Sequence, residues 1–444
     1  MFVGLDGAVT GRAALAACAV AAVAAASLGL ASAAGASTFA PLDATPEPLQ
    51  STEWWLADVG VAGLTPPGPG IPLTLVDTGI FFGHQEFVGR PDLVALNPQE
   101  PAPLGGVHGT AVASVAGATA NGIGLLGLYP TVAIRSYDAS LGDGTQLPAS
   151  EIAAGIRAAA AGGPTVINLS LGGNLDDPGI DAAVAQAVRS GSLVVAASGN
   201  SGDAGNPLTY PAATPHVLTV AATDQNDQVA PFSSQSNFVD LSAPGVDIPV
   251  ASALDNSYAV ESGTSFASPM VAAAAAWLWT VRPTLDASQV AEILRRSARD
   301  IGASGYDVGS GYGILNVAAA LAAPTPLSDP AEPNDTLTTA RSVTTQQQPT
   351  GTASGRVAAY DDPRDDLRVF VPKGKRLTVT ATADSNVAFT LETGAATTLA
   401  RAPHSAGRTT SLTYRNVGAG RTAYVSVTPA GVRTSDYTLT FSVR

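Results

Sequence analysis

Runs that fit β-strands alternate with runs that fit α-helices over residues 71–298, and this alternation limits the fold more than any other feature of the chain. The strand-like runs are continuously apolar, which is typical of strands covered by helices on both faces of a parallel sheet. These runs are IPLTLVD (71–77), VAIRSY (132–137), TVINLSL (165–171), SLVVAAS (192–198) and HVLTVAAT (216–223). The sequence therefore predicts a doubly wound, mostly parallel α/β sheet.

Helix-like runs lie between and after these strands. They are rich in alanine, the strongest helix former, and carry apolar residues at helical spacing. The runs are GTAVASVAGATA (109–120), PASEIAAGIRAAAA (148–161), DPGIDAAVAQAVRS (177–190), MVAAAAAWLW (270–279) and DASQVAEILRRSA (286–298).

The pattern changes near residue 323. The segment APTPLSDPAEPNDT (323–336) is rich in proline and turn-forming residues, which is typical of a linker. Beyond it, runs such as RLTVTATA and DYTLTFSVR alternate apolar and polar residues, the period of a half-buried strand. Residues 337–444 are therefore predicted to form a second, smaller domain, an all-β sandwich.

The first 33 residues fit a signal peptide. Arg12 precedes a long Ala-rich apolar stretch that ends in ASA at 31–33, the small-residue pattern of a cleavage site. A single membrane anchor is the alternative, because the stretch approaches spanning length. We expect cleavage, a short N-terminal segment over 34–50, and a secreted protein that is extracellular or associated with the cell envelope.

The net charge of −14 restricts the partners. Nucleic acids and anionic lipid surfaces both attract basic proteins, so we expect neither nucleic acid nor, after signal cleavage, a membrane as a partner. Cys18, the single cysteine, lies inside the predicted signal peptide, so the mature chain is expected to contain no disulfide. We expect a monomer.

Four polar residues fall where strands of the predicted sheet end or helices begin. Asp77 ends the first strand, His108 begins a helix, Asn200 follows the fourth strand, and Ser265 precedes the apolar helix. Ligands of open α/β sheets bind at the carboxyl ends of the strands. A carboxylate, an imidazole, an amide and a hydroxyl at one edge are the parts of a serine-nucleophile acyl-transfer site.

The segment GTSFASP (263–269) has two interpretations. Ser and Thr commonly cap helix N-termini, and proline is tolerated in a first turn. For an isolated Thr-Ser pair capping is the favoured interpretation, but a serine at a helix start can also act as a nucleophile, because the free N–H groups there stabilise an oxyanion. The joint order of Asp77, His108 and Ser265 favours the nucleophile, with capping secondary.

Residues 51–322 resemble the subtilisin-like serine proteases, or subtilases, with LVDTGI around Asp77, HGTAVAS from His108 and GTSFASP around Ser265. The segments INLSLGG (167–173) and VVAASGNSG (194–202) also match. The resemblance implies a serine endopeptidase whose catalytic residues are Asp77, His108, Ser265 and Asn200, with Asn200 as oxyanion donor. It also implies an extended substrate strand held by Ser170, Leu171 and Gly172 on one side and by Ala197, Ser198 and Gly199 on the other. Broad specificity with an apolar preference at P1 is expected.

The resemblance also bears on metals and oxidation. No cofactor is expected for catalysis. Glu86 and Asn121 match positions that supply oxygen ligands to a structural calcium ion in many subtilases, with backbone carbonyls of Thr119, Ile123 and Leu125 as further ligands. A surface Glu and a turn Asn are the alternative. Phe266 follows the nucleophile where many relatives carry an oxidisable methionine, so we expect tolerance to peroxide.

EPNDT (332–336) and the β-rich remainder resemble the pre-peptidase C-terminal domains of secreted bacterial proteases. Only about 17 residues separate the predicted cleavage site from Ser51, too few for the folded pro-domain usual in subtilases. Two other functions therefore stay open beside a secreted endopeptidase. One is a dedicated processing protease of a secretion or peptide-maturation system, similar to the mycosin branch; the other is a catalytically idle binding protein with the same fold.

Overall fold

A computed structural model of the chain describes residues 41–42, 45–99, 107–141, 146–329, 332–359, 362–403, 407–430 and 434–444. The predicted signal peptide and residues 34–40 of the short N-terminal segment lie outside the described residues. Within the described ranges, no helix has both the length and the apolar character needed to cross a membrane.

The larger unit is built on a seven-stranded sheet in which every pair of neighbouring strands is parallel. Its strand order is β2-β3-β1-β4-β5-β6-β7. The bounds are β1 Leu73–Asp77, β2 Leu93–Ala95, β3 Ile134–Asp138, β4 Val166–Leu169, β5 Leu193–Ala197, β6 Val217–Thr223 and β7 Val239–Pro244. A hairpin of β8 (Ile248–Ser252) and β9 (Ser257–Glu261) follows the sheet. The predicted doubly wound parallel sheet is confirmed.

Helices cover both faces of the sheet, which explains why its strands are apolar throughout. One face carries α2 and α5, and the other carries α3 and α4. The helix bounds are α1 Trp55–Asp58, α2 Val107–Gly117, α3 Ala149–Ala160, α4 Pro178–Arg189, α5 Thr264–Val281, α6 Ala287–Ser297 and α7 Val317–Ala322. The Ala-rich run of α5 is buried almost completely, from Thr264 to Trp279, because small side chains let this helix lie close against the sheet.

Side-chain caps fix where three of the helices begin, among them α7, where Asn316 accepts a hydrogen bond from the N–H of Ala319. Asp177 accepts hydrogen bonds from the N–H groups of Gly179 and Ile180 at the start of α4. Asp286 and Gln289 form a reciprocal capping box at the start of α6. Such caps satisfy N–H groups that have no partner inside the helix.

The C-terminal unit is all-β, as predicted, and consists of two packed sheets. One has the order β10-β12-β17-β14-β15 and the other β11-β18-β13-β16; every pair is antiparallel except β10 with β12. Alternate residues of these strands fill a separate apolar core between the sheets. The bounds are β10 Arg341–Ser342, β11 Thr350–Ala358, β12 Asp365–Val371, β13 Arg376–Ala383, β14 Val387–Thr393, β15 Thr398–Pro403, β16 Thr410–Arg415, β17 Arg421–Pro429 and β18 Thr434–Val443.

Candidate active site

The polar residues predicted to converge lie at the carboxyl edge of the parallel sheet. Asp77 is the last residue of β1, and Ser170 directly follows β4. Asn200 comes three residues after the end of β5. Because β1, β4 and β5 are consecutive in the sheet, their carboxyl ends open on the same crevice.

Asp77 and His108 form a direct hydrogen bond. His108 Nδ1 lies 2.8 Å from Asp77 Oδ1, and the carboxylate is almost fully buried, with 3% of its side chain exposed. The N–H of Thr78 also donates to Oδ1 at 2.7 Å, which holds the carboxylate in place. With Nδ1 directed at the carboxylate, the imidazole presents Nε2 to the crevice.

The start of α2 brings His108 to Asp77 because Gly109 allows a very close approach. A Cβ at Gly109 would lie 2.0 Å from the carbonyl oxygen of Gly79, nearer than any side chain permits. The N–H of Gly109 also donates to the hydroxyl of Thr78 at 3.0 Å. The His-Gly pair in the sequence is thus a packing requirement that fixes the distance between β1 and α2.

Ser265 is the second residue of α5 and is 1% exposed. Its hydroxyl donates to the main-chain carbonyl of Ser170 at 3.1 Å, and Nε2 of His108 has no hydrogen-bond partner among the described residues. The main-chain N–H of Ser265 lies in the first turn of α5, where N–H groups lack partners inside the helix. Rotation about χ1 is therefore the movement that would bring the hydroxyl to the imidazole.

Asn200 is held through one end of its amide. Oδ1 accepts hydrogen bonds from the N–H of Thr264 at 3.0 Å and from the hydroxyl of Thr264 at 2.8 Å. With the oxygen fixed, Nδ2 is directed away from Thr264 as the free donor end. Nδ2 lies beside the backbone of Gly263, where a Cβ would be 3.2 Å from it. This is the geometry expected of a fixed oxyanion donor next to the start of α5.

The two segments expected to hold substrate emerge from the neighbouring strands β4 and β5. Ser170, Leu171 and Gly172 are buried, as are Ala197, Ser198 and Gly199. Both backbone polar groups of Gly199 already have hydrogen-bond partners. Its N–H donates to the hydroxyl of Thr264, and its carbonyl accepts from the N–H of Ser234. Substrate pairing on this side would therefore rely on the residues before Gly199.

Phe266 packs directly beside the imidazole. Its ring centroid lies 6.0 Å from that of His108 at an interplanar angle of 46°, and its side chain is 2% exposed. Met270, the only methionine besides Met1, is fully buried one turn further along α5. No thioether therefore lies directly after the nucleophile.

Glu86 and Asn121, the two side chains predicted to bind calcium, line one cleft of about 340 Å³. Glu86 Oε1 accepts from the N–H of Leu125 at 2.9 Å and from the hydroxyl of Tyr258 at 2.7 Å. Asn121 Oδ1 accepts from the N–H of Ile123. Glu86 Oε2 is buried without a hydrogen-bond partner among the described residues, and burial raises the pKa of Glu86 to about 7. The calcium site stays a prediction.

Two side chains at the site have roles that sequence reasoning missed. The hydroxyl of Ser170 donates to the carbonyl of Ser265 at 2.8 Å, and Thr264 fixes the amide of Asn200. The first role has a sequence signal, since Pro269 removes the N–H that would otherwise reach the Ser265 carbonyl. A replacement donor was therefore required, although the sequence did not say which residue supplies it.

Comparisons with known proteins point to one family. The sequence profile described as "Subtilase family" matches residues 68–313. Subtilisin DY of Bacillus licheniformis is 39% identical over 259 residues, covering 57% of this chain and 91% of that protein. Subtilisin BL of Lederbergia lenta is 35% identical over 282 residues, covering 61% of this chain and 99% of that protein.

Among solved structures, the "S41 Psychrophilic Protease" is similar to this chain with a TM-score of 0.52 and 30% sequence identity. The match covers 60% of this chain and 99% of that protein. The range 68–313 matched by the sequence profile contains the whole seven-stranded sheet and all four residues of the site.

Proposed function

The chain belongs to the subtilase family and is a serine-type endopeptidase acting on polypeptides, and from this premise we propose that Asp77, His108, Ser265 and Asn200 are its catalytic residues. The observation that carries the proposal is the 2.8 Å contact between Asp77 and His108 at the sheet edge that also holds the start of α5. No cofactor is needed for catalysis in this family, and the chemistry is assigned to side chains alone.

In the proposed reaction, Ser265 Oγ attacks the carbonyl carbon of the scissile peptide while its proton passes to Nε2 of His108. Asp77 holds the other ring nitrogen and stabilises the imidazolium that forms. The imidazolium then gives its proton to the leaving amine, the C–N bond breaks, and an acyl-enzyme on Ser265 remains. Water, deprotonated by His108, hydrolyses this ester and restores the serine.

The negative oxygen of the tetrahedral intermediate would be held by Nδ2 of Asn200 and by the N–H of Ser265. Support for this role comes from the two hydrogen bonds that Thr264 makes to Asn200 Oδ1, since they fix which end of the amide carries the donors. A donor held in place before the reaction costs no reorganisation when charge develops.

The hydroxyl of Ser265 must leave the Ser170 carbonyl before it can attack. A substrate strand that pairs with the segment after β4 would donate one of its own N–H groups to the Ser170 carbonyl. The hydroxyl of Ser265 would then be free to turn toward His108. Main-chain pairing tolerates many side chains, so we propose broad specificity with an apolar preference at P1. We further propose that the mature protein is monomeric and that it is secreted after cleavage of the predicted signal peptide.

The test uses the chain without residues 1–33, a fluorophosphonate probe and unfolded casein. Wild type should be labelled and should cleave casein, whereas Ser265→Ala should do neither. His108→Ala should lose labelling while keeping its melting temperature within a few degrees. A folded wild type that resists the probe, or a Ser265→Ala variant that is still labelled, would overturn the assignment.

A further inference from the structure

The net charge of the whole chain, −14, hides an uneven distribution between the two units. Residues 337–444 contain 13 of the 22 lysines and arginines but 7 of the 36 aspartates and glutamates, so they carry a formal charge of +6. Residues 1–336 carry the remaining −20. A marked difference in charge between two parts of one chain indicates an anionic partner for the basic part. The total charge therefore does not describe how the sandwich meets anionic surfaces.

The positive charge of the sandwich is concentrated at one end. The turn between β12 and β13 lies there beside the end of β16 and the start of β17, because Arg376 pairs with Arg415 and Val371 pairs with Arg421. Both lysines of the chain belong to this turn. We call the five positive residues at this end the distal basic patch: Lys373, Lys375, Arg376, Arg415 and Arg421.

The charges of the distal basic patch are not neutralised within the sandwich. Four of its residues are exposed, and Arg421 is half-buried. The sandwich arginines that form ion pairs within the described ranges are Arg356 and Arg364, and neither belongs to the patch. Arg376 and Arg415 lie directly opposite each other on antiparallel strands, an arrangement in which like charges destabilise a sheet. Charge that weakens the fold in this way indicates a role outside it.

Asn416 holds the two loops of this end together. Its side chain is fully buried, and Nδ2 donates to the carbonyls of Val371 at 2.9 Å and Ala419 at 2.7 Å. Its main-chain N–H donates to the carbonyl of Lys375 at 2.9 Å, and its own carbonyl accepts from the N–H of Gly374 at 2.7 Å. The lysine turn and the loop before β17 therefore form one fixed surface, on which the positive side chains keep their spacing.

Val417 follows Asn416 in this loop and is 80% exposed, the largest exposure among the bulky apolar side chains of the described residues. It lies between Arg415 and Arg421 in the chain. Basic side chains attract a protein to anionic lipid headgroups, and an apolar side chain between them enters the boundary with the acyl chains. A soluble polyanion attracts the same charges but offers the valine no apolar surroundings. The combination therefore favours a lipid surface.

The distal basic patch lies at the end of the sandwich away from the peptidase unit. Near the start of β18, Asp436 bonds with Arg296 of α6 at 3.1 Å. The strand ends seven residues later at Val443, which pairs with Leu377 next to the patch. Seven strand residues span about 23 Å. An anionic surface would therefore attract one end of the molecule and repel the acidic unit at the other.

We propose that the distal basic patch and Val417 dock the protein reversibly on an anionic lipid surface, with the peptidase unit directed away from it. A lysine or arginine near such a surface strengthens binding about fivefold, and several of them with one apolar group give attachment without insertion. This docking does not depend on which residues carry out catalysis.

The first test is sedimentation of the Ser265→Ala chain without residues 1–33, so that autolysis does not intervene. Vesicles of phosphatidylcholine containing one third phosphatidylglycerol should bind the protein at about 0.05 M NaCl, and vesicles of phosphatidylcholine alone should not. Binding should disappear at about 0.5 M NaCl, where charges are screened within about 4 Å. If the anionic vesicles bind no protein at the lower salt concentration, the proposal is wrong.

The triple variant Lys373→Gln, Lys375→Gln and Arg415→Gln tests the patch in the same background. It should bind anionic vesicles about a hundredfold more weakly than the parent, since three surface charges are lost. All three side chains are exposed, and removing Arg415 relieves its repulsion with Arg376. The melting temperature should therefore equal or exceed that of the parent.

A second triple variant removes the same charge from exposed positions elsewhere on the sandwich. Its substitutions are Arg341→Gln, Arg401→Gln and Arg408→Gln. It should bind anionic vesicles within a few-fold of the parent, because these positions do not face the surface in the proposed orientation. Equal losses in the two triple variants would show that the total charge matters and the patch does not, which would refute the proposal.

Val417→Gln distinguishes a lipid surface from a soluble polyanion. It should weaken binding to anionic vesicles about threefold or more, because the apolar contact is lost, and leave any binding of soluble polyphosphate unchanged. Val88→Gln, at a position 65% exposed on the peptidase unit, is the matched control and should bind vesicles like the parent. If Val417→Gln also binds the vesicles like the parent, and polyphosphate binds the parent as tightly as the vesicles do, the partner is a soluble polyanion and the lipid proposal is wrong.

Discussion

The hydroxyl of Ser170 donates to the main-chain carbonyl of Ser265 at 2.8 Å, joining the end of β4 to the first turn of α5. Pro269 lies four residues beyond Ser265 and has no N–H, so the normal helical partner of this carbonyl is missing. Ser170 Oγ also lies 2.9 Å from the hydroxyl of Ser268 and accepts from Asn168. A buried polar network thus sets the position of the nucleophile's backbone.

Replacing Ser170 by alanine should therefore impair catalysis more than folding. The buried carbonyl of Ser265 loses the hydroxyl that donates to it, which costs about 1–3 kcal/mol of local free energy. We expect kcat to fall about tenfold or more with a smaller change in KM, because the displaced helix start misplaces both Ser265 Oγ and its N–H. Steady-state kinetics on a peptide substrate, together with the melting temperature, measures both effects.

Ser192→Ala is the matched control for this variant. Its hydroxyl is also buried, but it has no hydrogen-bond partner among the described residues and lies far along the sheet from the site. It should leave kcat unchanged. Equal kinetic effects of the two substitutions would show that the Ser170 network does not position the nucleophile.

Loss of the Asn200 donor should reduce turnover more than loss of the Ser170 hydroxyl does. Asn200→Asp keeps the oxygen that Thr264 binds but removes the amide N–H, so turnover should fall by about a hundred- to a thousand-fold, as removal of this type of donor does in subtilisin. KM should change little, because the charge exists only in the transition state. Turnover within tenfold of wild type would argue against Asn200 as an oxyanion donor.

Thr264→Val tests the hydroxyl that holds the Asn200 amide while leaving Asn200 itself in place. The variant keeps the Thr264 main-chain N–H bond to Asn200 Oδ1 but loses the 2.8 Å hydroxyl bond, so the amide becomes less fixed. It also removes the hydroxyl that accepts the N–H of Gly199. Since each hydrogen bond to a neutral group is worth about 1 kcal/mol, we expect kcat to fall roughly fivefold or more. If the double variant with Asn200→Asp is as slow as Asn200→Asp alone, the two residues act through one donor.

The parallel sheet and the site could be predicted because their sequence signals are local. Each long inner strand is a continuous apolar run, and Asp77, His108 and Ser265 each sit at a recognisable end of a strand or helix. The prediction missed β2, which has only three residues, and the edge strand β7, whose run VDLSAP mixes polar with apolar residues. It also missed the hairpin of β8 and β9, whose second strand has no fully buried residue. Such elements are defined by pairing with distant strands and carry little apolar pattern of their own.

The contacts of His216 with Glu332 and Asp335, between the peptidase unit and the C-terminal sandwich, show the opposite limit. His216 precedes an apolar strand, and nothing near it in sequence distinguishes it from an ordinary surface histidine. Its neighbours Glu332, Asp335 and Asp362 come from the predicted linker and the loop before β12, more than a hundred residues later. Only the docking of the two units brings these groups together.

Tolerance to peroxide follows from Phe266. The wild type offers no thioether beside the imidazole, and fully buried Met270 is shielded by α5 packing, so activity should persist in dilute peroxide. Phe266→Met should be active but lose activity over the same exposure, with oxidation located at residue 266 by mass spectrometry. Rapid inactivation of the wild type with oxidation at Met270 would contradict the prediction.

The stability of the protein should fall as the pH rises from about 4.5 to about 8, in part because of Glu53. This carboxyl is 4% exposed, and burial raises its pKa from 4.5 to about 8, with Glu86 and Glu47 adding repulsion. In this window the unfolded chain has already released the proton that the folded chain still holds. Folding therefore becomes less favourable with rising pH, and above about 8 the effect is constant.

Glu53→Gln removes this titration while leaving an oxygen that can accept the N–H of Leu126, which Glu53 Oε2 accepts at 2.9 Å. The free energy of unfolding of the variant should equal that of the parent near pH 4.5 and exceed it increasingly up to about pH 8. Each unit of difference between the folded and unfolded pKa of Glu53 is worth about 1.4 kcal/mol. Urea unfolding of both chains in the Ser265→Ala background, at several pH values from 4.5 to 9, gives the difference directly. Exposed Glu261→Gln is the control and should follow the parent at every pH. Parallel curves for Glu53→Gln and the parent would mean that Glu53 is ionised in the folded protein throughout this range.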